Sequence, residues 1–191
     1  MKDFDLYSFV YRGVLTEEAL DRTARQRRHH FGADQARELQ RSLSFDFLDT
    51  ELLAEGQRMS VVYAAIHAFE NAVRTMVVKA MAEKHGATWW DHVPERIRKT
   101  SKMRMEEDAK FRWHGTRGTS EVNYCDFGDL SSIIATNWEV FEDLLGSMEW
   151  AKATLTSLEK SRNIVMHGGS VAKEDVERIG MNIRDWIRQA G

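Results

Sequence analysis

The chain is expected to be all-α. Apolar side chains recur at three- and four-residue spacing in several long segments. Pro94 is the single proline among 191 residues, so few helix interiors are barred. No segment shows the strict alternation of a half-buried strand.

The elements follow in order. Thr16 caps a first helix, with Glu17 and Glu18 in its opening turn, and Gly32 is expected to end it. A short helix is expected near Asp34 to Leu43, and a third begins near Asp49. Residues 1–58 are thus read as an N-terminal helical extension, and residues 59–191 as the main domain. From Ser60 to Lys84 the stripe Val62, Ile66, Phe69, Val73, Val77 and Ala80 marks a long helix, and Gly86 is its natural stop. Trp89-Trp90 lies in a connector, and Pro94 opens a polar, basic helix over 95–111. Gly115, Gly118 and Ser120 mark a loop. Ser131 to Leu145 reads as one aromatic and apolar stretch. A helix from about Ser147 ends at Gly168-Gly169. A last helix carries the stripe Val176, Ile179, Ile183, Trp186 and Ile187.

Composition narrows the function classes. The chain is 42% hydrophobic and 30% charged, as in soluble globular proteins. No run approaches the roughly 18 apolar residues of a membrane span. The start, Met1-Lys2-Asp3-Phe4-Asp5, has no apolar signal region, so a cytoplasmic location is expected. Cys125 is the one cysteine, which excludes an internal disulfide and a cysteine-rich zinc site. No metal and no cofactor is expected. The net charge of −3 does not favour bulk nucleic-acid binding, but the charge is uneven. Residues 22–41 hold Arg22, Arg25, Arg27, Arg28, Arg37 and Arg41 with His29 and His30. Residues 96–117 hold Arg96, Arg98, Lys99, Lys102, Arg104, Lys110, Arg112 and Arg117. Solvated helix faces are the bland account of both, and a polyanionic partner is the functional one.

The most informative segment is Arg162-Asn163-Ile164-Val165-Met166-His167, followed by two glycines. Arginine supplies a permanent cation that forks onto phosphate, and histidine exchanges a proton near neutral pH. The spacing alone is not specific: Arg25 and His30 share it, and Arg22 and His29 come close. The setting separates them. The apolar stripe Ala151, Leu155, Leu158, Arg162, Val165 puts Arg162 on the face that should meet protein. A cation there must be paired, or point into a cleft or an interface. Glu159, at i−3, is its nearest partner on the helix. His167 lies about 140° around the helix from Arg162, at a helix end expected to fray beside the glycines so that the ring can swing. In a two-fold dimer both groups from both copies would converge. On the long helix, Glu70 and Arg74 form an i,i+4 pair, and His67, Asn71 and Arg74 share one polar face. A solvent salt bridge is the bland account, and completion of the site the functional one.

Arg162-Asn163-x-x-x-His167 resembles the signature of the HEPN superfamily of small helical domains. The stretches Phe69-Glu70-Asn71 with Arg74, Trp89-Trp90 before Val93-Pro94, and Tyr124-Cys125-Asp126-Phe127-Gly128-Asp129-Leu130 resemble its Swt-type branch. So do Trp138 with Phe141, Glu174-Asp175-Val176-Glu177-Arg178, and Arg184-Asp185-Trp186-Ile187. The resemblance covers about residues 59–190. It implies a helical bundle, usually a homodimer and, in many members, a metal-independent endoribonuclease with Arg162, Asn163 and His167 as catalytic residues; Glu70, Asn71 and Arg74, on the polar face of the long helix, are the expected supporting residues. Other members are non-catalytic RNA- or protein-binding modules. One toxin group carries a tyrosine just beyond the histidine, where this chain has Gly168 and Gly169. The expected partners are RNA, a second copy of the chain and an inhibitory protein, with no membrane. A toxin or antiviral defence nuclease is the biological role implied by analogy.

Overall fold

The computed structural model describes residues 32–190, so the helix expected from Thr16 and the basic cluster up to His30 lie outside the described residues. The chain divides into two compact units after Leu48. In the first, helix α1 covers Ala33–Ser42 and buries no side chain. Gly32 is its N-cap, and Gln35 Oε1 accepts from the Gly32 amide at 3.1 Å.

The second unit carries the rest. Helix α2, Thr50–His85, is one unbroken rod of 36 residues. Asp49 caps it, accepting from the amides of Glu51 and Leu52 at 2.9 and 3.0 Å. The sequence boundary between residues 58 and 59 therefore falls inside a helix. Nothing between Asp49 and Met59 breaks it, and Gly56, in open space, is tolerated there. Its buried stripe is Met59, Val62, Ile66, Phe69, Val73, Val77 and Met81. Gly86, at φ 66°, ends it as expected. A 3₁₀ turn over Gly86–His92 holds Trp89 and Trp90 partly buried against the core.

Pro94 caps α3, Glu95–Asp108. A 3₁₀ turn at Glu121–Tyr124 leads to α4, Phe127–Thr136, whose N-cap Asp126 accepts from the Asp129 amide at 2.9 Å. The apolar stretch read as continuous splits at Asn137, and α5 covers Trp138–Leu145. Asn137 leaves the helical region at φ −113°, ψ 41° while its side-chain amide donates to Ile133 O at 3.0 Å, ending α4 with its own hydrogen bond.

Helix α6, Met148–Met166, starts from the Ser147 cap and buries Ala151, Thr154, Leu155 and Leu158. Helix α7, Lys173–Ala190, buries Ile179 and Trp186, while Ile187 is 61% exposed and falls off the expected stripe. Trp186 joins three helices: its ring stacks on Trp150 at 5.5 Å and meets Phe69 edge-on at 5.6 Å. Helix α6 packs on α4 and α7, and α2 runs against both α4 and α6. Among the described residues there is no strand, and no helix is long and apolar enough to cross a membrane.

Candidate functional site

The polar face of α2 fixes the floor of a cleft. Arg74 is mostly buried and almost fully engaged: Nε donates to Val122 O at 3.0 Å, Nη1 to Asn71 Oδ1 at 2.6 Å, and Nη2 to Glu70 Oε1 at 3.0 Å and Cys125 O at 2.9 Å. The Glu70–Arg74 pair is 15% and 11% exposed, so it is not the solvent bridge its spacing allows. Its work is to hang the segment 122–125 on α2. Asn71, held by Arg74, presents its amide nitrogen to His67 O at 2.9 Å and His67 Nε2 at 3.2 Å.

Opposite lies α3, whose Arg104 donates to Tyr124 O at 2.7 Å and pairs with Asp129 at 3.0 Å and Asp126 at 3.4 Å. Arg104 is therefore not part of a free solvated face, whereas Arg96, Lys99 and Lys102 of the same helix remain exposed. Cys125 lies behind, its Sγ 3.4 Å from Ser101 Oγ, and burial pushes its thiol up to about 11.

Between these walls a cleft of about 660 Å³ opens, lined by Tyr63, His67, Glu70, Asn71, Arg74, Arg104, Arg117, Asn123, Tyr124, Cys125, Asp126, Arg162 and Met166. Arg162 thus meets the predicted supporting residues Glu70, Asn71 and Arg74 in one concavity. Its Nε is buried and has no hydrogen-bond partner. Glu159, the partner offered by the sequence, turns elsewhere: its carboxylate oxygens stand 3.4 and 3.6 Å from where a Cβ on Gly128 would be. Burial raises the Glu159 carboxyl above its ordinary range, reinforced by Asp126 and opposed by Arg162 and the Gly128 backbone. A guanidinium with an orphaned buried donor, lining a polar cleft, is poised to take an anion.

Asn163 and His167 are exposed and do not line this cleft. His167 is the C-cap of α6, and the end is not frayed. The Gly168 amide donates to Val165 O at 3.2 Å and the Gly169 amide to Ile164 O at 2.8 Å, the paired bonds of a Schellman turn. Gly168 takes φ 75°, and a Cβ on Gly169 would sit 2.9 Å from Ile164 O. The glycine pair is explained by this turn, and it fixes the main chain that carries the imidazole.

His67 is the cleft residue that spacing undervalued. It shares the polar α2 face with Asn71 and Arg74, yet only the fold shows that it lines the same hollow as Arg162 while His167 does not. Among the described residues, no group of three histidine, cysteine, aspartate or glutamate side chains is placed to hold a metal ion.

No curated protein and no solved structure matches the chain. The family model described as Swt1-like HEPN matches residues 64–191, which takes in α2 from Ala64 onward, every lining residue of the cleft except Tyr63, and the Arg162–His167 segment. With that match covering more than half of its length, the chain belongs to the Swt1-like HEPN family.

Proposed function

We propose that the protein is an endoribonuclease that cuts RNA without a metal, by attack of the 2′-oxygen on the adjacent phosphorus. The observation that carries this is Arg162, a cation with a buried, unpartnered Nε in a polar cleft. In the reaction the 2′-hydroxyl loses its proton to a base as the new P–O2′ bond forms. The P–O5′ bond breaks, and the departing 5′-oxygen takes a proton from an acid. The products are a 2′,3′-cyclic phosphate and a 5′-hydroxyl. Arg162 neutralises charge on the phosphoryl oxygens, and Asn163 positions the chain. His167 and His67 are the groups that move protons, a service worth roughly 10²–10⁴-fold. Because His167 faces out from its own cleft, it acts in a homodimer, presented beside the cleft of a second copy. RNA carries its own nucleophile, and DNA is spared. Toxin or antiviral defence is the setting such an activity fits, with an inhibitory protein as the restraint.

A second reading, a non-catalytic RNA-binding module of the same family, draws on the placement of Asn163 and His167 outside the cleft within one chain. Incubation of the purified chain with mixed RNA, with and without chelator, separates the two. Cleavage in chelator, lost in both Arg162→Ala and His167→Ala while each variant stays folded, supports the nuclease. A wild type that leaves RNA intact, or activity that vanishes with chelator, sinks it. Light scattering should give twice the 22.1 kDa chain mass at micromolar concentration. A monomer there defeats the role given to His167.

A further inference from the structure

The basic segment 96–117 is not uniformly basic once its neighbours are placed. Arg96 pairs with Asp129, Arg98 with Asp91, Lys99 with Glu95 and Lys102 with Glu106. Arg104 pairs with Asp126 and Asp129, and Arg117 with Asp108. Lys110 and Arg112 form no ion pair among the described residues, and no acidic residue occurs from Ala109 to Ser120. Within this segment positive charge is left uncompensated at one place, and the largest exposed apolar rings of the second unit stand there too. Trp113 is 82% exposed and Phe111 51% exposed.

This loop is built rather than slack. The His114 amide donates to Phe111 O at 2.9 Å, closing a tight turn. Phe111 meets Trp113 edge-on at 6.3 Å, and Trp113 meets His114 at 5.5 Å, so the three rings form one aromatic surface. Its base is stapled at Arg117, which pairs with Asp108 at 3.6 Å and lies over the Tyr124 ring at 5.6 Å. Arg117 and Tyr124 both line the cleft, so the base of the loop adjoins it. An indole left in water forgoes the gain of burial unless a partner covers it. Rings interleaved with unpaired cations suit a partner with flat apolar faces and a negatively charged backbone.

We infer that the loop Lys110–Arg117 is a stacking platform for unpaired bases of single-stranded RNA, which it feeds towards the Arg162 cleft. Trp113 and Phe111 take base faces, and Lys110 and Arg112 take the flanking phosphates. A duplex hides its base faces and gains nothing from the rings. The inference rests on the RNA reading and adds the strand state of the substrate and the residues that select it.

The test is binding of a labelled 2′-O-methyl oligonucleotide, which the 2′-attack cannot cleave, followed by fluorescence anisotropy at fixed salt on the full chain. Trp113→Ala should weaken the single strand about tenfold, and Trp113→Phe should retain most of the affinity. A pre-annealed duplex of the same sequence should bind both variants like wild type. Equal single-strand binding by wild type and Trp113→Ala overturns the platform, as does equal loss for strand and duplex. So does a Trp113→Ala chain that melts earlier, or one that turns from dimer to monomer, since the ring would then serve the fold or a second copy. A wild type that binds the oligonucleotide but cuts no RNA keeps the platform and loses the nuclease. A wild type that binds no RNA loses the platform.

Discussion

Asn71 Nδ2 stands 3.2 Å from His67 Nε2, and the Asn71 amide is oriented by Arg74, which donates to its oxygen at 2.6 Å. The amide nitrogen must therefore face the imidazole, so Nε2 accepts and the proton of the neutral ring sits on Nδ1. Nitrogen chemical shifts of the His67 side chain should report this tautomer in the wild type. Asn71→Asp, which offers an acceptor instead, should move the proton to Nε2. A wild-type ring protonated mainly at Nε2 would refute the relay.

Arg74→Ala should destabilise the fold by about 3 kcal/mol, since it strands the Glu70 carboxylate in a mostly buried site and frees two backbone carbonyls. Urea unfolding gives the number. A loss under about 1 kcal/mol would mean that segment 122–125 holds itself in place. Arg162→Met, by contrast, removes a buried donor that has no partner and should leave the midpoint unchanged or higher.

The glycine pair after His167 should be intolerant for two separate reasons. Gly168→Ala places a side chain at φ 75° and should cost about 1 kcal/mol. Gly169→Ala drives a Cβ to 2.9 Å from the Ile164 carbonyl oxygen, which is backbone and has little room to yield. Gly115→Ala, in open space, is the neutral control. Thermal melts that rank all three alike would contradict the locked turn.

Glu159 gives a pH signature. Its folded carboxyl is raised, so between the unfolded and folded values the native state holds the extra proton. That contribution to stability is complete below the ordinary glutamate range and is lost as pH rises through the folded value. Glu159→Gln lacks the titration. Its melting temperature relative to wild type should be more favourable at pH 7 than at pH 4. A difference that does not change with pH, or changes the other way, would show that the carboxyl is not raised.

Cys125 should be nearly inert. With its thiol near 11, only roughly 10⁻³ of it is thiolate at pH 8, and it is buried besides. Labelling by a thiol reagent should be slow in the native protein and fast in denaturant. Rapid native labelling would mean that the wall formed by Ser101 and Cys125 opens readily.

Much of this was legible in the chain. The long stripe of α2, the Gly86 stop, the Ser147 start and the place of Arg162 on a buried stripe all follow from spacing, because each is a local rule of helix geometry. The break at Asn137 was not legible, since a middling helix former ends α4 only by virtue of its own side-chain bond. The inward role of Arg104 was hidden for a different reason. Its partners lie on Tyr124, Asp126 and Asp129, far along the sequence, so the helix reads as merely basic. His67 was visible on its polar face, but that it, and not His167, shares a hollow with Arg162 depends on how α2, α3 and α6 assemble.

The closed turn at Gly168 and Gly169 also sets a clock. A histidine on a fraying end would wait for segmental motion in nanoseconds to microseconds, whereas one on a hydrogen-bonded turn samples only side-chain rotamers, in picoseconds to nanoseconds. In the proposed dimeric nuclease, delivery of the His167 imidazole would then be faster than turnover. The slow events would lie in the encounter of two chains and in the arrival and departure of RNA, so the rate per chain should fall on dilution rather than track the local mobility of the helix end.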